Sequence, residues 1–345
     1  MDLTLLRAYL DGAGDAVTVS EAPTAADHGW FAGRAHEIVI PLAATAPPAC
    51  APAIVASSGP LPLIGREDGM LPGSQVLFAK VYGHPDVFDT ILTDHLPALL
   101  SVWDQPPACW FVRYRNPAPH LRLRLHLRDY GQAAVRVGVW AADLRRRGLI
   151  GDLVLDTYHP ETARYGSGAA MAAAEAVFAA DSAAVLAQLT ALAASREVHP
   201  YALTAASLVD LAAATTGSQP AGMRWFIDHA ELAGHAPVRD RDILRQAVSL
   251  ADLDGDRAAL QAIPGGPQIA TAWHLRRQAV TSYADCLAGD ATHVRPTQVL
   301  LSLLHMHHVR AHGIDPDSEG LSHRLARAVA LAWNARQNTI EASPR

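Results

Sequence analysis

From Gln75 to Tyr82 apolar and polar positions alternate, which predicts a strand. Pro85 to Val102 then carries helical spacing behind Asp86. Two further strand runs, Cys109 to Tyr114 and Leu121 to Arg128, are joined by Asn116-Pro117-Ala118-Pro119, so a hairpin is expected there. A helix from about Gln132 to Arg147 and a strand from Gly151 to Thr157 follow. Beyond Gly168 the pattern is helical to about Arg336, with breaks near His199-Pro200, Gly217 to Pro220, Gly265 to Pro267 and Arg295-Pro296. The first 75 residues are patchier: a short helical stretch from Leu3 to Leu10, the strand-like Glu37 to Pro41, and an Ala/Pro-rich tract from Ala43 to Pro62 that reads as linker or loose cover. Strands first and helices later predict an α+β fold, with an antiparallel or mixed sheet in the N-terminal half and a predominantly helical C-terminal half. The expected boundaries are a cover segment over 1–74 and a main domain over 75–340.

The run from His120 to Arg128 stands out within that pattern. Side chains alternate across a strand, so Leu121, Leu123, Leu125 and Leu127 share one face while His120, Arg122, Arg124, His126 and Arg128 share the other. Five potentially cationic groups in a row repel one another and demand partners. Two readings stay open: a solvated face with internal Asp/Glu partners, or a site that grips a carboxylate or peptide carbonyls through bidentate guanidinium contacts. A second cluster, Asp156 to Gly166, lies between a strand and a helix, where reactive residues are common, although it also reads as a polar turn with an aromatic plug. The third is Leu304-His305-Met306-His307-His308-Val309-Arg310 with His312 beyond. On a helix His305, His308 and His312 fall at i, i+3 and i+7; a metal reading is available, but histidines on consecutive turns are usually too spread to converge on one ion, so hydrogen-bonded helix histidines or one general acid or base are the favoured readings. Ser282 and Tyr283 share a predicted helix with Trp273 to Arg277, and there Tyr283 reads as packing or as a phenolic donor.

Composition narrows the class. A 345-residue chain that is 50% hydrophobic and 18% charged is neither disordered nor fibrous, and its formal charge of −6 gives no general pull toward nucleic acid or anionic lipid. Cys50, Cys109 and Cys286 form no CxxC pair, which argues against a disulfide framework or a zinc ribbon and fits a reducing cytoplasm. Met1 to Asp15 has no signal pattern, and the most apolar stretch, Ala169 to Ala194, is interrupted by Glu175 and Asp181, so neither export nor a membrane span is expected. GxGxxG, P-loop, HExxH and GxSxG motifs are missing from the sequence. Lys80 is the only lysine and Arg supplies every other permanently cationic side chain, so an arginine carries functional weight only through its position.

Taken together these segments resemble a family. Trp110-Phe111-Val112-Arg113-Tyr114, a proline-containing turn and then His120-Leu121-Arg122-Leu123-Arg124 look like the signature of the lantibiotic-dehydratase C-terminal domain, also called the thiopeptide-type bacteriocin biosynthesis domain. Asp156 to Gly166, followed by Ala169-Ala170-Met171, Glu175, Phe178 and Asp181-Ser182, is similar to its second block; Leu303-Leu304-His305-Met306 with Arg310 is similar to its third. One departure is Val309, where family members usually carry Asn.

The resemblance implies the fold of the glutamate-elimination domain, a catalytic domain over 75–340, and one of two activities. Full-length relatives eliminate glutamate from glutamylated Ser or Thr to give dehydroalanine or dehydrobutyrine. Standalone relatives occur either as that eliminase or as a pyridine synthase, which joins two dehydroalanines by a formal aza-[4+2] cycloaddition and then expels water and the leader peptide. Chain length and the N-terminal segment favour the pyridine synthase, with the eliminase as the alternative and a non-catalytic peptide-binding subunit as a third possibility. The implied partner is a leader-bearing precursor peptide with azoles and dehydroalanines, together with other enzymes of the pathway. No nucleic acid, membrane, metal or other cofactor is implied.

On the cyclase reading the expected catalytic residues are Tyr283 and His305 for proton transfer, Arg122 and Arg124 for gripping carbonyls, and Ser282 in support. His120, Arg113, Arg164, Tyr165 and His308 are the expected substrate-binding residues. On the eliminase reading the same Arg face holds the leaving glutamyl carboxylate, Arg164 assists and His305 handles protons. A basic run, Arg145-Arg146-Arg147, is the candidate contact for an acidic leader.

Overall fold

The computed structural model describes residues 69–233, 238, 240–252, 257–289 and 294–342. The expectations for Leu3 to Leu10, Glu37 to Pro41 and Ala43 to Pro62 lie outside the described residues. Four strands, β1 (Val76–Tyr82), β2 (Cys109–Tyr114), β3 (His120–His126) and β4 (Asp152–Asp156), form one sheet in the order β2-β3-β1-β4. Every neighbouring pair is antiparallel. The hairpin register places Val112 opposite Arg122 and Trp110 opposite Arg124, and across β1 Arg122 faces Lys80 and Arg124 faces Phe78.

Alternation sorts the two faces as the sequence pattern requires. Leu77, Ala79, Val81, Phe111, Leu121, Leu123 and Leu125 are buried against Ala133, Val137, Ala141 and Leu144 of α1 (Tyr130–Arg146). Asp129 caps that helix by accepting from the Gln132 N–H at 3.0 Å, and Trp140 donates to the His95 carbonyl on the irregular helical run from Pro85 to Leu100. The opposite sheet face, with Phe78 and Trp110, joins the core of the helical half.

That half comprises α2 (Ala169–Ala194), α3 (Pro200–Thr215), α4 (Gln219–Asp228), α5 (Arg241–Leu250), α6 (Gly266–Gly289), α7 (Pro296–His312) and α8 (Pro316–Ala342), with short turns at Thr162–Tyr165 and Ala258–Ala262. Helices α3, α4, α6 and α7 begin at the sequence breaks, where proline at the first turn loses nothing because the N–H it lacks has no helical partner. Helix α2 is long and apolar enough to cross a membrane by length and composition, yet half of its apolar window is buried within the fold. Its two carboxylates are internal fixtures: Glu175 accepts from the Tyr158 hydroxyl, and Asp181 accepts from Arg276, Arg310 and His307.

Candidate functional site

A pocket of about 190 Å³ opens between the cationic sheet face, the segment after β4 and helix α7. Arg122 and Arg124 form its floor, Tyr158, His159, Glu161 and Tyr165 one wall, and His305, Met306, Val309 and Arg310 the other. The volume lies below the roughly 300–1,000 Å³ usual for drug-sized ligands and suits a single side chain or a small acid.

Neither floor arginine makes an ion pair among the described residues. Arg122 stacks on Tyr114 with its guanidinium carbon 3.4 Å from the ring centroid, and its Nε donates to His120 Nε2 at 3.2 Å. His120 lies beneath the floor rather than in the pocket. Burial lowers its pKa, and Arg122, Lys80 and Arg124 lower it further against the opposing hydrogen bond to the Ala118 carbonyl, so the ring is neutral, donates through Nδ1 and accepts through Nε2. Arg124 lies 4.5 Å from the Phe78 centroid and 5.6 Å from that of Tyr158, and its Nε has no partner. Burial brings its pKa down to about 10, which still leaves it charged at neutral pH. Lys80, next to Arg122 across the strands, is neutralised by Asp156. Two cations held on π faces without a direct ion pair, with Glu161 of the pocket wall acting on Arg124 only as a more distant charge, form a receptor for a carboxylate or for polarised carbonyls.

His305 is oriented by Glu319, whose Oε1 lies 2.8 Å from Nδ1. Gly313, at φ +87°, ends α7, and α8 begins at Pro316, so Glu319 returns beside His305 within the first turn of α8. Burial acts to raise the Glu319 pKa, but the hydrogen bond and charge of His305, then His308 and His323, hold it below the usual range. The ionised carboxylate can only accept, so Nδ1 carries the proton and Nε2 is left as the basic nitrogen.

The remaining expected residues are distributed as follows. Tyr165 lines the pocket, packed edge-on against Phe178 at 4.8 Å. Arg164 is exposed and pairs with Glu161, which does line it. Arg113 points to the other side of β2, where it pairs with Asp89 and donates through Nε to the Arg310 carbonyl at 2.7 Å. His308 is buried between Ser318 and Ser322 on α8. Ser282 and Tyr283 are placed apart from the residues that line the pocket. Ser282 is exposed and lines no part of the pocket, and the buried Tyr283 hydroxyl donates to the Tyr165 carbonyl at 2.7 Å. Helical spacing turns the two side chains apart, and the phenol is taken up in fixing the turn that carries Tyr165. In the Arg145–Arg147 run, Arg146 and Arg147 both pair with Asp143.

The sequence reading did not select Tyr158, His159, Glu161, Val309, Arg310 or Glu319 as site residues. Tyr158 to Glu161 lay within a noted cluster, whereas nothing in the spacing pointed to Glu319, whose place depends on the α7–α8 turn. Arg310 reaches the pocket from a buried network: Nη1 donates to Asp181 at 2.8 Å and Nε to the Phe111 carbonyl at 3.1 Å. Asp181 also accepts from Arg276 and His307, and Arg276 continues to Asp210, which binds Arg257 and Arg277 as well. Burial acts to raise the Asp181 pKa, but His307, Arg310 and Arg276 hold it well below the carboxylate range.

The architecture defines a class: an α+β protein in which a small antiparallel sheet offers guanidinium groups to a pocket closed by a histidine-bearing helix. Residues 77–330 match the family described as lantibiotic biosynthesis dehydratase, C-terminal, and the chain belongs to that family. It is 32% identical over 156 residues to the subtilin biosynthesis protein SpaB of Bacillus subtilis, covering 42% of this chain and 14% of that one. The fold is similar to that of the tRNA-dependent lantibiotic dehydratase MibB from Microbispora, with a TM-score of 0.67 and 23% identity over 77% of this chain and 29% of that one. It is also similar to the pyridine synthase TbtD from thiomuracin biosynthesis, with a TM-score of 0.51 and 17% identity over 76% of this chain and 100% of that one. The chain therefore spans under a third of the length of SpaB and of MibB.

Proposed function

We propose that the chain eliminates glutamate from glutamylated Ser or Thr residues of a ribosomally made precursor peptide, leaving a dehydroamino acid. The observation that carries this reading is the gathering of Arg122, Arg124 and His305 around one small pocket, with neither arginine ion-paired to a carboxylate. In the reaction His305 Nε2 removes the Cα proton of the esterified residue. The electron pair becomes the Cα–Cβ double bond as the Cβ–O bond breaks, and glutamate departs as a carboxylate. Arg122 and Arg124 stabilise the charge that develops on the peptide carbonyl and on the leaving group. One proton and one carboxylate leave the peptide, no electrons are gained or lost, and the protonated imidazole is held by Glu319.

Two observations move the preference away from the cyclase. The volume suits one glutamyl group more readily than two dehydroalanines and their flanking amides, and neither Ser282 nor the Tyr283 hydroxyl reaches the pocket. Full coverage of TbtD keeps pyridine formation as the second reading. Incubation with a glutamylated precursor peptide is expected to release free glutamate and shift the peptide mass by the loss of glutamic acid. Release of a leader carboxamide and a pyridine macrocycle from a bis-dehydroalanine peptide, with no glutamate from the first substrate, reverses the assignment.

A further inference from the structure

Tyr158 stands between the pocket and a carboxylate. Its ring covers Arg124 at 5.6 Å and meets Trp110 edge-on at 5.8 Å, while its hydroxyl donates to Glu175 Oε1 at 2.7 Å. The backbone is pinned as well: the Tyr158 N–H donates to the Met70 carbonyl at 3.0 Å, and its own carbonyl accepts from the Met70 N–H at 2.7 Å. Glu175 is half-buried on α2; burial raises its pKa, against the Tyr158 hydrogen bond and the charges of His126 and then Arg124, and Tyr158 contacts both the carboxylate and the guanidinium. A guanidinium in such surroundings normally ends in a direct ion pair. Here the Glu175 carboxylate is turned to a neutral phenol, and the guanidinium lies over the π faces of Phe78 and Tyr158, while Glu161 of the pocket wall acts on it as a charge without forming an ion pair.

We propose that Tyr158 is a positioning residue that keeps Glu175 off Arg124, so that the guanidinium stays available for the carboxylate of the substrate. The inference rests on the eliminase reading and names how its anion receptor is kept open. A direct Arg124–Glu175 pair would be charge-assisted and would occupy the N–H groups a substrate carboxylate needs. The phenol satisfies Glu175 with a neutral donor, and its ring covers the guanidinium plane while leaving the N–H edge free.

Tyr158→Phe keeps the ring and frees Glu175; Tyr158→Phe combined with Glu175→Gln removes the competing charge. The single variant is expected to raise KM for the glutamylated peptide, and the Kd for free glutamate by calorimetry, about tenfold, with kcat less affected. The double variant is expected to recover most of both. A hydroxyl with a purely structural role predicts a double variant at least as weak as the single one, and that result overturns the inference. Should Tyr158→Phe fail to fold, Glu175→Gln alone is decisive: binding of glutamate no weaker than wild type supports the inference and weaker binding overturns it. If the wild type releases no glutamate from the peptide while the three Kd values follow the expected order, the eliminase reading falls and this inference stands. Turnover by the wild type without recovery in the double variant has the reverse meaning.

Discussion

Glu319 Oε1 lies 2.8 Å from His305 Nδ1, and this contact decides which imidazole nitrogen is basic. The two residues are 14 positions apart, on α7 and α8, and the turn at Gly313 brings them together. Glu319→Gln replaces a pure acceptor with a group that can also donate, so the tautomer is no longer imposed and the imidazolium loses its counter-charge. The expected result is a fall in kcat of roughly 10–100-fold with a smaller change in KM, while His305→Ala costs about 10²–10⁴-fold. Steady-state glutamate release measures both. Unchanged kcat in Glu319→Gln would show that the carboxylate has no part in the proton transfer.

Ser282→Ala and Tyr283→Phe separate the two reactions. Ser282 is exposed away from the pocket, so its loss is expected to leave glutamate release within about twofold of wild type. Tyr283→Phe leaves the Tyr165 carbonyl without its donor, which is expected to cost about 1 kcal/mol of stability in urea titrations. Abolished pyridine formation on a bis-dehydroalanine peptide, in well-folded Ser282→Ala protein, would restore the cyclase assignment.

The site was legible in the sequence wherever local periodicity determines it. Alternation alone placed Arg122 and Arg124 opposite the buried leucines, and the prolines and glycines marked the starts of α3, α4, α6 and α7. Residues whose roles depend on long-range packing were not visible. Arg113 shares a strand with pocket-lining Val112 and Tyr114 but points to the opposite face, where Asp89 and the Arg310 carbonyl take it up. Tyr283 reads from the sequence as packing or as a phenolic donor, and the Tyr165 carbonyl that receives the phenol lies 118 positions away. Asp181, an apparent interruption in an apolar helix, is the acceptor that ties α2 to α6 and α7.

Asp181 is therefore expected to be costly to remove. Asp181→Ala leaves Arg276, Arg310 and His307 buried without their shared acceptor, and the adjacent Ser182 hydroxyl, which accepts from the Phe111 N–H at 3.1 Å, loses its neighbouring anchor. A loss of about 3–5 kcal/mol is expected, read from chemical denaturation. Because Arg310 lines the pocket, substrate affinity should fall as well in any protein that remains folded. A cost under 1 kcal/mol would mean that water replaces the carboxylate without strain.

Acid should loosen the α3–α7–α8 interface before it protonates the buried carboxylates. Burial lowers the His308 pKa to about 4, with Glu319 opposing and His307, His323 and His305 adding to the shift. It lowers that of His312 to about 3, with His308, Arg113, His307 and His199 adding. Both folded values lie below the unfolded value of about 6.5, so between those limits the unfolded chain binds more protons than the folded one. The stability these histidines contribute is thus complete above pH 6.5 and declines as pH falls toward 4 and then 3, at about 1.4 kcal/mol per pH unit for each at most. The carboxylates follow at lower pH, since Asp181, Asp210 and Glu319 have depressed values and lose their contribution only below the ordinary carboxylate range. Urea midpoints are accordingly expected to drop between pH 7 and pH 5, equivalent to roughly 2–4 kcal/mol. The drop should be shallower in His308→Asn, which cannot take up a proton. A midpoint constant from pH 7 to pH 5 would mean that the two imidazoles are already as solvated in the folded protein as in the unfolded chain.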